Sequence, residues 1–195
     1  TGRPRSKISS TTGESTSDFA LPQLRRDRLM DPSLLTDPAG RGSMADLDVV
    51  ILVGGHGTRI RPVVADRPKC LALVAGKPLL HILLDHLARW GIRRVVLATG
   101  HGGQLIEDHF AEEGAPVELV YCREPTALGT AGGVRFALDV TRSDPVLVLN
   151  GDSFIAGDLQ QLVDFHGQRH GVISMLLAWR SDGKRFGNVV TDDTG

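Results

Sequence analysis

From residue 48 onward, short apolar runs alternate with amphipathic stretches along the chain. Residues 49–53 are all apolar, which predicts a strand that is buried on both faces. Runs that predict strands occupy 49–53, 95–98, 117–121, 146–149 and 172–179, and residues 187–190 are predicted to form one arm of a hairpin. Strands separated by helical stretches in this way are typical of βαβ units.

Between these runs, apolar residues recur at helical spacing. The spacing of Leu80, Leu83, Leu84 and Leu87 predicts one apolar helix face, and Gly91 suits the position just past the helix end. Further helices are predicted around 105–110, over 129–140 with Ala131, Val134 and Leu138 on one side, and around 159–163. The predicted fold is therefore α/β and Rossmann-like, with a mixed, mostly parallel sheet and helices on both of its faces. Such sheets bind ligands at the carboxyl ends of their strands.

Residues 1–43 have a different character. They are rich in Ser, Thr, Pro, Gly and Arg and show no sustained period, which predicts a disordered or non-native leader. A basic binding arm is the alternative, but acidic residues are mixed with the arginines and weaken it. We expect one working domain over 44–195, with Met44 as its natural start.

The chain has 195 residues and a formal net charge of -1, so no overall field would hold it on a nucleic acid or a membrane. No apolar run approaches the roughly 18 residues of a membrane helix, and the N-terminus lacks the apolar centre of a signal peptide. The two cysteines, Cys70 and Cys122, lie in apolar stretches without metal-binding spacing. Together these features predict a soluble protein of the reducing cytoplasm. His81, His86 and His109 have no partners at metal spacing and are expected to be surface or satisfied histidines.

A glycine-rich segment, Gly54-Gly55-His56-Gly57-Thr58-Arg59, directly follows the first predicted strand. Glycines allow positive φ angles and let backbone N–H groups approach an anion closely, so such a loop can wrap a polyphosphate. The segment lacks the Gly-Lys-Ser/Thr ending of a Walker loop and the third glycine of a dinucleotide fingerprint. A plain tight turn is the alternative reading of this segment alone.

Cationic side chains concentrate next to this segment. The segment from Gly54 to Lys77 contains one acidic residue, Asp66, and five basic residues: Arg59, Arg61, Arg67, Lys69 and Lys77. Arginine can bind phosphate oxygens through two parallel hydrogen bonds, and lysine adds a compact charge. We favour phosphate binding for Arg59 and Lys69, and a solvated basic face for the other three.

Three segments carry a resemblance to a known family. They are 51–62 (ILVGGHGTRIRP) with 67–69 (RPK), 124–133 (EPTALGTAGG) and 149–153 (LNGDS). They resemble the GGxGTRLxP-and-PK signature, the LGTxGG stretch and the NGD metal motif of the sugar-1-phosphate nucleotidyltransferases. The likeness extends from about residue 47 to residue 195, and within the family it is greatest to guanylyltransferases acting on heptose or mannose 1-phosphate.

The resemblance implies a role for each matching residue. Nucleotide binding is implied for Gly54, Gly55, Gly57, Thr58, Arg59 and, beside the base, Gly129. Arg59, Lys69 and Asp152 would be the catalytic residues, with Arg59 on the leaving pyrophosphate and Lys69 at the reacting phosphate. Asp152 would bind Mg²⁺, the implied cofactor, and Gly187 would lie beside the sugar.

The implied reaction transfers a nucleoside monophosphate from a nucleoside triphosphate, GTP in the first instance, to heptose or mannose 1-phosphate, and releases pyrophosphate. Thymidylyl or uridylyl transfer to glucose 1-phosphate, or a catalytically silent nucleotide sensor, stays open, whereas the glycine spacing disfavours an oxidoreductase. The expected partners are these two substrates, and binding to nucleic acid or to a membrane is not expected. The chain could also form a homo-oligomer. In this family a second metal-binding aspartate and a sugar-contacting segment lie beyond the hairpin. The chain therefore resembles a truncated enzyme, expected to bind nucleotide weakly and turn over poorly.

Overall fold

A parallel sheet forms the centre of the computed structural model, which describes residues 43–55, 68–100, 102–169, 171–179 and 189–191. The strands in chain order are β1 (Asp48–Leu52), β2 (Leu73–Val74), β3 (Lys77–Pro78), β4 (Arg94–Thr99), β5 (Glu118–Arg123) and β6 (Leu147–Asn150). The helices are α1 (Leu79–Arg89), α2 (Gly103–Glu113), α3 (Gly129–Leu138) and α4 (Leu159–Arg169). Each predicted helix is present, and the predicted strands 49–53, 95–98, 117–121 and 146–149 correspond to β1, β4, β5 and β6.

The four longer strands lie in the order β5-β4-β1-β6, and every neighbouring pair is parallel. Val50 of β1 lies opposite Val96 of β4 on one side and Val148 of β6 on the other. β2 and β3 form a separate antiparallel ribbon that the sequence pattern did not predict. Parallel order places the carboxyl ends of all four strands at one edge of the sheet, as the predicted fold requires.

Alternate residues of β1 enter two different apolar cores. Val49 and Ile51 pack in the larger core, which also contains buried residues of α1, α2 and α4. Val50 packs on the other side with Val96 and with Ala137 of α3. Successive side chains of a strand point to opposite faces, so this division shows helices on both faces of the sheet. The predicted α/β layering is confirmed.

Helix α1 follows the predicted apolar stripe closely. Leu80, Leu83, Leu84 and Leu87 are between 0% and 1% exposed, and Gly91 has a φ of 84° just after the helix end. A residue in the left-handed conformation after the last turn allows the final carbonyls to be hydrogen-bonded, and glycine adopts that conformation without steric cost.

Among the described residues, no helix is long and apolar enough to cross a membrane.

The predicted strand at 172–179 was wrong. These residues are described, but they form no strand, and Ile173 and Trp179 are 81% and 83% exposed. A strand is stabilised by backbone hydrogen bonds to a neighbour, and no strand of the described chain pairs with this segment. Val189 and Val190 are likewise exposed outside any strand, and the rest of the predicted hairpin lies outside the described residues.

The apolar side of α3 that the pattern indicated, with Ala131, Val134 and Leu138, is not the side that is buried. Gly133 and Ala137 are the buried residues of this helix, whereas Leu138 is 39% exposed. Space next to α3 is limited at Gly133, because a Cβ atom there would lie 2.5 Å from Glu124 Oε1. Small residues therefore face the sheet, and the larger apolar side chain that dominated the pattern stays at the surface.

Candidate active site

A cavity of about 720 Å³ opens at the carboxyl ends of the four parallel strands. Segments that follow β1, β4, β5 and β6 all contribute to its wall, as expected for a sheet of this class. Its lining residues are Leu52, Val53, Gly54, Gly55, Lys69, Cys70, Gly100, Arg123, Glu124, Pro125, Thr126, Ala127, Gly129, Thr130, Asn150, Gly151 and Asp152. Five of the residues predicted from sequence to form a site, Gly54, Gly55, Lys69, Gly129 and Asp152, are among them.

The turn after β1 approaches the turn after β4 closely. A Cβ atom at Gly54 would lie 3.2 Å from the backbone nitrogen of Gly100, and one at Gly100 would lie 2.9 Å from the Gly54 carbonyl oxygen. Side chains at these positions would push the two strand ends apart. The glycines therefore allow the two strand ends to lie against each other in the wall of the cavity.

Lys69 and Asp152 meet inside this cavity. The Lys69 Nζ donates a hydrogen bond of 2.7 Å to Asp152 Oδ2, although the residues are 83 positions apart in the chain. Lys69 begins a short 3₁₀ turn, Lys69–Leu71, whose Cys70 and Leu71 side chains are buried. Burial raises the pKa of the Cys70 thiol to about 12, so it packs as a neutral apolar group. The buried turn anchors the lysine backbone while its ammonium group reaches into the cavity.

The environment of Asp152 keeps its carboxylate ionised. The hydrogen bond from Lys69 lowers the pKa of Asp152 below its ordinary value, partial burial opposes this, and a hydrogen bond from Ser153 also lowers it. The side chain is 43% exposed and stands immediately after β6. An ionised, accessible carboxylate at a strand end is a suitable ligand for Mg²⁺, which usually binds one or two carboxylates together with substrate phosphates. Within the described ranges, no group of three His, Cys, Asp or Glu side chains that could hold a metal ion is found.

Gly129 begins helix α3 on the opposite wall. Its φ of 73° lies in the left-handed region, and no atom would lie within 4 Å of an added Cβ. Glycine is therefore required here by backbone conformation rather than by crowding within the protein.

Glu124 is a lining residue whose role the sequence did not reveal. Its Oε2 accepts a hydrogen bond of 3.1 Å from the Leu128 backbone N–H. Its Oε1 would lie 3.4 Å from a Cβ at Gly54 and 2.5 Å from one at Gly133. Glu124 therefore lies between the turn after β1 and the start of α3. The available sequence signal was its position three residues after a predicted strand, directly before Pro125.

The structure does not describe the remaining predicted site residues. Gly57, Thr58, Arg59 and Gly187 lie outside the described residues, as do His56, His101, Arg61 and Arg67. Lys77 forms an ion pair with Asp85 and is not among the lining residues, in agreement with its interpretation as a surface lysine.

The sequence matches the family model described as nucleotidyl transferase over residues 48–195, and the chain therefore belongs to this family. It is 37% identical to the mannose-1-phosphate guanylyltransferase of Mycobacterium tuberculosis over 148 residues, which are 75% of this chain and 41% of that protein. It is 32% identical to the D-glycero-alpha-D-manno-heptose 1-phosphate guanylyltransferase of Aneurinibacillus thermoaerophilus, over 76% of this chain and 64% of that protein. The chain thus spans less than two thirds of the length of these curated relatives.

Solved structures agree with the family assignment. HddC from Yersinia pseudotuberculosis, in a crystal structure complexed with GMP-PN, matches with a TM-score of 0.57 and 30% identity. That match covers 62% of this chain and 54% of HddC. A UDP-glucose pyrophosphorylase complexed with UDP-glucose matches with a TM-score of 0.53 at 18% identity, which shows a shared fold only.

Proposed function

We propose that the protein of which this chain is part transfers guanylate from GTP to a sugar 1-phosphate of the mannose or heptose type, releasing pyrophosphate and forming a GDP-sugar. The observation that carries this proposal is the 2.7 Å contact between Lys69 and Asp152 in the same cavity as Gly54 and Gly55. The cation, the carboxylate and the glycine-containing turn come from three separate parts of the sequence. Family membership and two named guanylyltransferase relatives support the same reaction.

The chemistry requires little covalent participation by the protein. An oxygen of the sugar phosphate, already ionised at neutral pH, forms a bond to the α-phosphorus of GTP, and the bond from that phosphorus to the bridging oxygen of the β-phosphate breaks. Pyrophosphate carries the electron pair away. Catalysis then consists of positioning two anions and offsetting their repulsion. No general base is required.

The residues of the cavity suit this task. Lys69 would neutralise charge at the reacting phosphate, Arg59 would hold the leaving pyrophosphate, and the turn with Gly54, Gly55, Gly57 and Thr58 would cover the nucleotide. Asp152 would hold Mg²⁺, which supplies further charge neutralisation when bound. Gly129 would lie beside the base and Gly187 beside the sugar.

Glu124 supports guanine as the base. Its carboxylate lines the cavity near Gly129, and one hydrogen bond from Leu128 leaves acceptor capacity, because a carboxylate can accept about four. Guanine presents two adjacent donors, N1–H and N2–H₂, whereas uracil and thymine present one N–H between two carbonyls. A carboxylate therefore favours guanine, and replacing Glu124 with Gln removes that preference.

The test combines binding and turnover. Calorimetric titration of the chain with GTP, dTTP and UTP in the presence of Mg²⁺ should give the tightest binding for GTP, weakened in Asp152→Asn. A pyrophosphate-release screen of the full-length protein with mannose, heptose and glucose 1-phosphates should show turnover with GTP and one of the first two. Turnover with dTTP or UTP and glucose 1-phosphate would replace the proposal, and nucleotide binding without any turnover would indicate a silent relative.

We further propose the cytoplasm as the location of this protein. Cys70 and Cys122 are both unpaired and buried, which suits a reducing compartment.

A further inference from the structure

The Lys69–Asp152 pair places a protein cation on the carboxylate that the proposed function assigns to Mg²⁺. Both oxygens of Asp152 are engaged: Lys69 donates to Oδ2 at 2.7 Å, and the Ser153 hydroxyl donates to Oδ1 at 2.9 Å. The Lys69 and Asp152 side chains are 36% and 43% exposed, so ions from solution can reach them. A metal ion and the lysine ammonium group therefore compete for the same ligand.

We propose that Lys69 is an exchangeable counterion: it holds Asp152 while no metal is bound, and it leaves the carboxylate when a divalent cation binds there. This inference rests on the proposed function, because it takes Asp152 as the metal ligand. Its consequence is that metal binding releases the Lys69 ammonium group into the cavity, where it can meet a phosphate.

Electrostatics favour the exchange. A divalent cation attracts a carboxylate about twice as strongly as an ammonium group at equal distance and dielectric, and it repels that ammonium group at close range. Mg²⁺ lies only about 2.1 Å from its oxygen ligands. An ammonium group that stayed 2.7 Å from the same oxygen would be only a few ångströms from the metal, and the two positive charges would repel each other with little screening by water. Repulsion between the two cations therefore favours movement of Lys69 away from Asp152 when a metal binds.

The local structure allows Lys69 to move without refolding. Its backbone is fixed by the 3₁₀ turn, because Cys70 and Leu71 are 4% and 5% exposed. Its side chain is a flexible four-carbon stem with a partly exposed ammonium group. Rotation of that stem alone can transfer the charge from Asp152 to another position along the cavity wall.

Lys77 and Asp85 provide a matched pair for comparison. They also form a lysine–aspartate ion pair, with exposures of 48% and 37%, but Lys77 does not line the cavity. Replacing either lysine with methionine removes one positive charge and keeps an apolar stem of similar length. A difference between Lys69→Met and Lys77→Met therefore reports the position of the charge rather than the net charge of the protein.

The first experiment measures Mn²⁺ binding to nucleotide-free protein from the electron paramagnetic resonance signal of the free ion. Lys69→Met should bind Mn²⁺ roughly five- to tenfold more tightly than wild type, because the competing charge is gone. Lys77→Met should match wild type, and Asp152→Asn should lose the site in either background. Equal or weaker binding by Lys69→Met, or no binding by any of these proteins in the millimolar range, would overturn the proposal.

The second experiment measures where the lysine goes. Wild-type protein is treated with an amine-reactive reagent with and without Mn²⁺, and the modified lysines are quantified by mass spectrometry. Labelling of Lys69 should rise with Mn²⁺ while labelling of Lys77 stays constant. Unchanged or reduced Lys69 labelling at saturating Mn²⁺ would contradict the exchange. Failure here is distinguishable from failure of the proposed function, because GTP binding and pyrophosphate release would persist without exchange.

Discussion

Asp48 and Arg94 form a buried ion pair across neighbouring strands, at the end of the sheet opposite the cavity. Arg94 Nη1 donates to Asp48 Oδ2 at 2.9 Å, and the two side chains are 10% and 4% exposed. Burial raises the pKa of Asp48, but hydrogen bonds from the Arg142 backbone and from Arg94 outweigh it, and the net pKa is lowered. Asp48 thereby fixes the start of β1 to β4 and to the segment that precedes β6.

Breaking this pair should destabilise the fold without altering the cavity. Arg94→Met leaves an unpaired buried carboxylate, which costs about 3–5 kcal/mol. Urea denaturation should show this loss, whereas Asp139→Asn, which breaks the exposed pair with Arg135, should cost about 0.5 kcal/mol or less. Equal effects of the two substitutions would mean that the buried pair does not support the sheet.

The apolar face of α1 should be a major source of stability. Leu84 is fully buried, and Leu84→Ala removes apolar contacts and leaves a cavity, with an expected cost of about 2–5 kcal/mol. Leu105 on α2 is 50% exposed, so Leu105→Ala should change the free energy of unfolding by about 0.5 kcal/mol or less. Denaturant titration measures both, and a small loss for Leu84→Ala would contradict the described core.

Stability should fall as the pH decreases below 6.5, partly because of His81. Its Nε2 lies 2.9 Å from that of His109, between α1 and α2. Burial lowers the pKa of His81 from 6.5, and His109 and Lys77 lower it further against the opposing effect of Asp85 and Glu113. The unfolded chain therefore takes up a proton as the pH falls through 6.5, while the folded protein resists it until its lower pKa is reached.

The corresponding measurement is Tm as a function of pH. His81→Gln should flatten the decline of Tm between about pH 7 and pH 5, because the group with the lowered pKa is gone. Part of the decline should remain, since burial also lowers the pKa of His86. A variant with the same slope as wild type would exclude His81 as a source of acid sensitivity.

Lys69 should be required for turnover rather than for folding. Loss of a charge positioned at the reacting phosphate costs about a hundredfold or more in kcat, so Lys69→Met should show at least that decrease in pyrophosphate release. Lys77→Met should retain wild-type activity, because Lys77 pairs with Asp85 outside the cavity. Thermal melts of both variants check that folding is intact, and normal turnover by Lys69→Met would remove it from the catalytic set.

Alanine substitutions at Gly129 and Gly114 can distinguish the cost of backbone strain from a loss of ligand binding. Both have a φ of 73°, and neither would place an added Cβ within 4 Å of another atom. Alanine at such a φ costs about 1–3 kcal/mol, so both substitutions should lower stability, and the ψ of 174° at Gly114 makes alanine at least as costly there. Only Gly129→Ala should also weaken GTP binding in calorimetry, because Gly129 lines the cavity. Equal GTP affinities in the two variants would argue against its place beside the base.

The sequence predicted the fold correctly where apolar residues recur with a simple helical or strand period. The leucines of α1 and the apolar run of β1 are buried as their spacing indicated, because the apolar face of α1 packs in one core and each face of β1 is covered by an apolar core. The pattern failed at 172–179, since apolar composition does not say whether a strand has a neighbour to pair with. It also failed at α3, whose buried residues are Gly133 and Ala137, because Glu124 leaves no room for a side chain at Gly133.

The sequence likewise predicted only part of the candidate site. Glycines and isolated charges next to predicted strands were visible in the sequence, and the parallel pairing of β1 with β6 explains why the segment that carries Asp152 lies beside the turn after β1. Glu124 was not singled out, because its position depends on the approach of Gly54 and Gly133 from other elements. The contact between His81 and His109 likewise depends on how two helices cross, which neither helix encodes alone.

A crystal structure of the chain with GTP and Mg²⁺ tests the central claim most directly, namely that this cavity holds a nucleoside triphosphate. The account predicts phosphates against Gly54 and Gly55, guanine beside Gly129 and Glu124, and a metal on Asp152 with Lys69 displaced towards the α-phosphate. A nucleotide bound outside the cavity, or bound there with neither Lys69 nor Asp152 near its phosphates or metal, would contradict it.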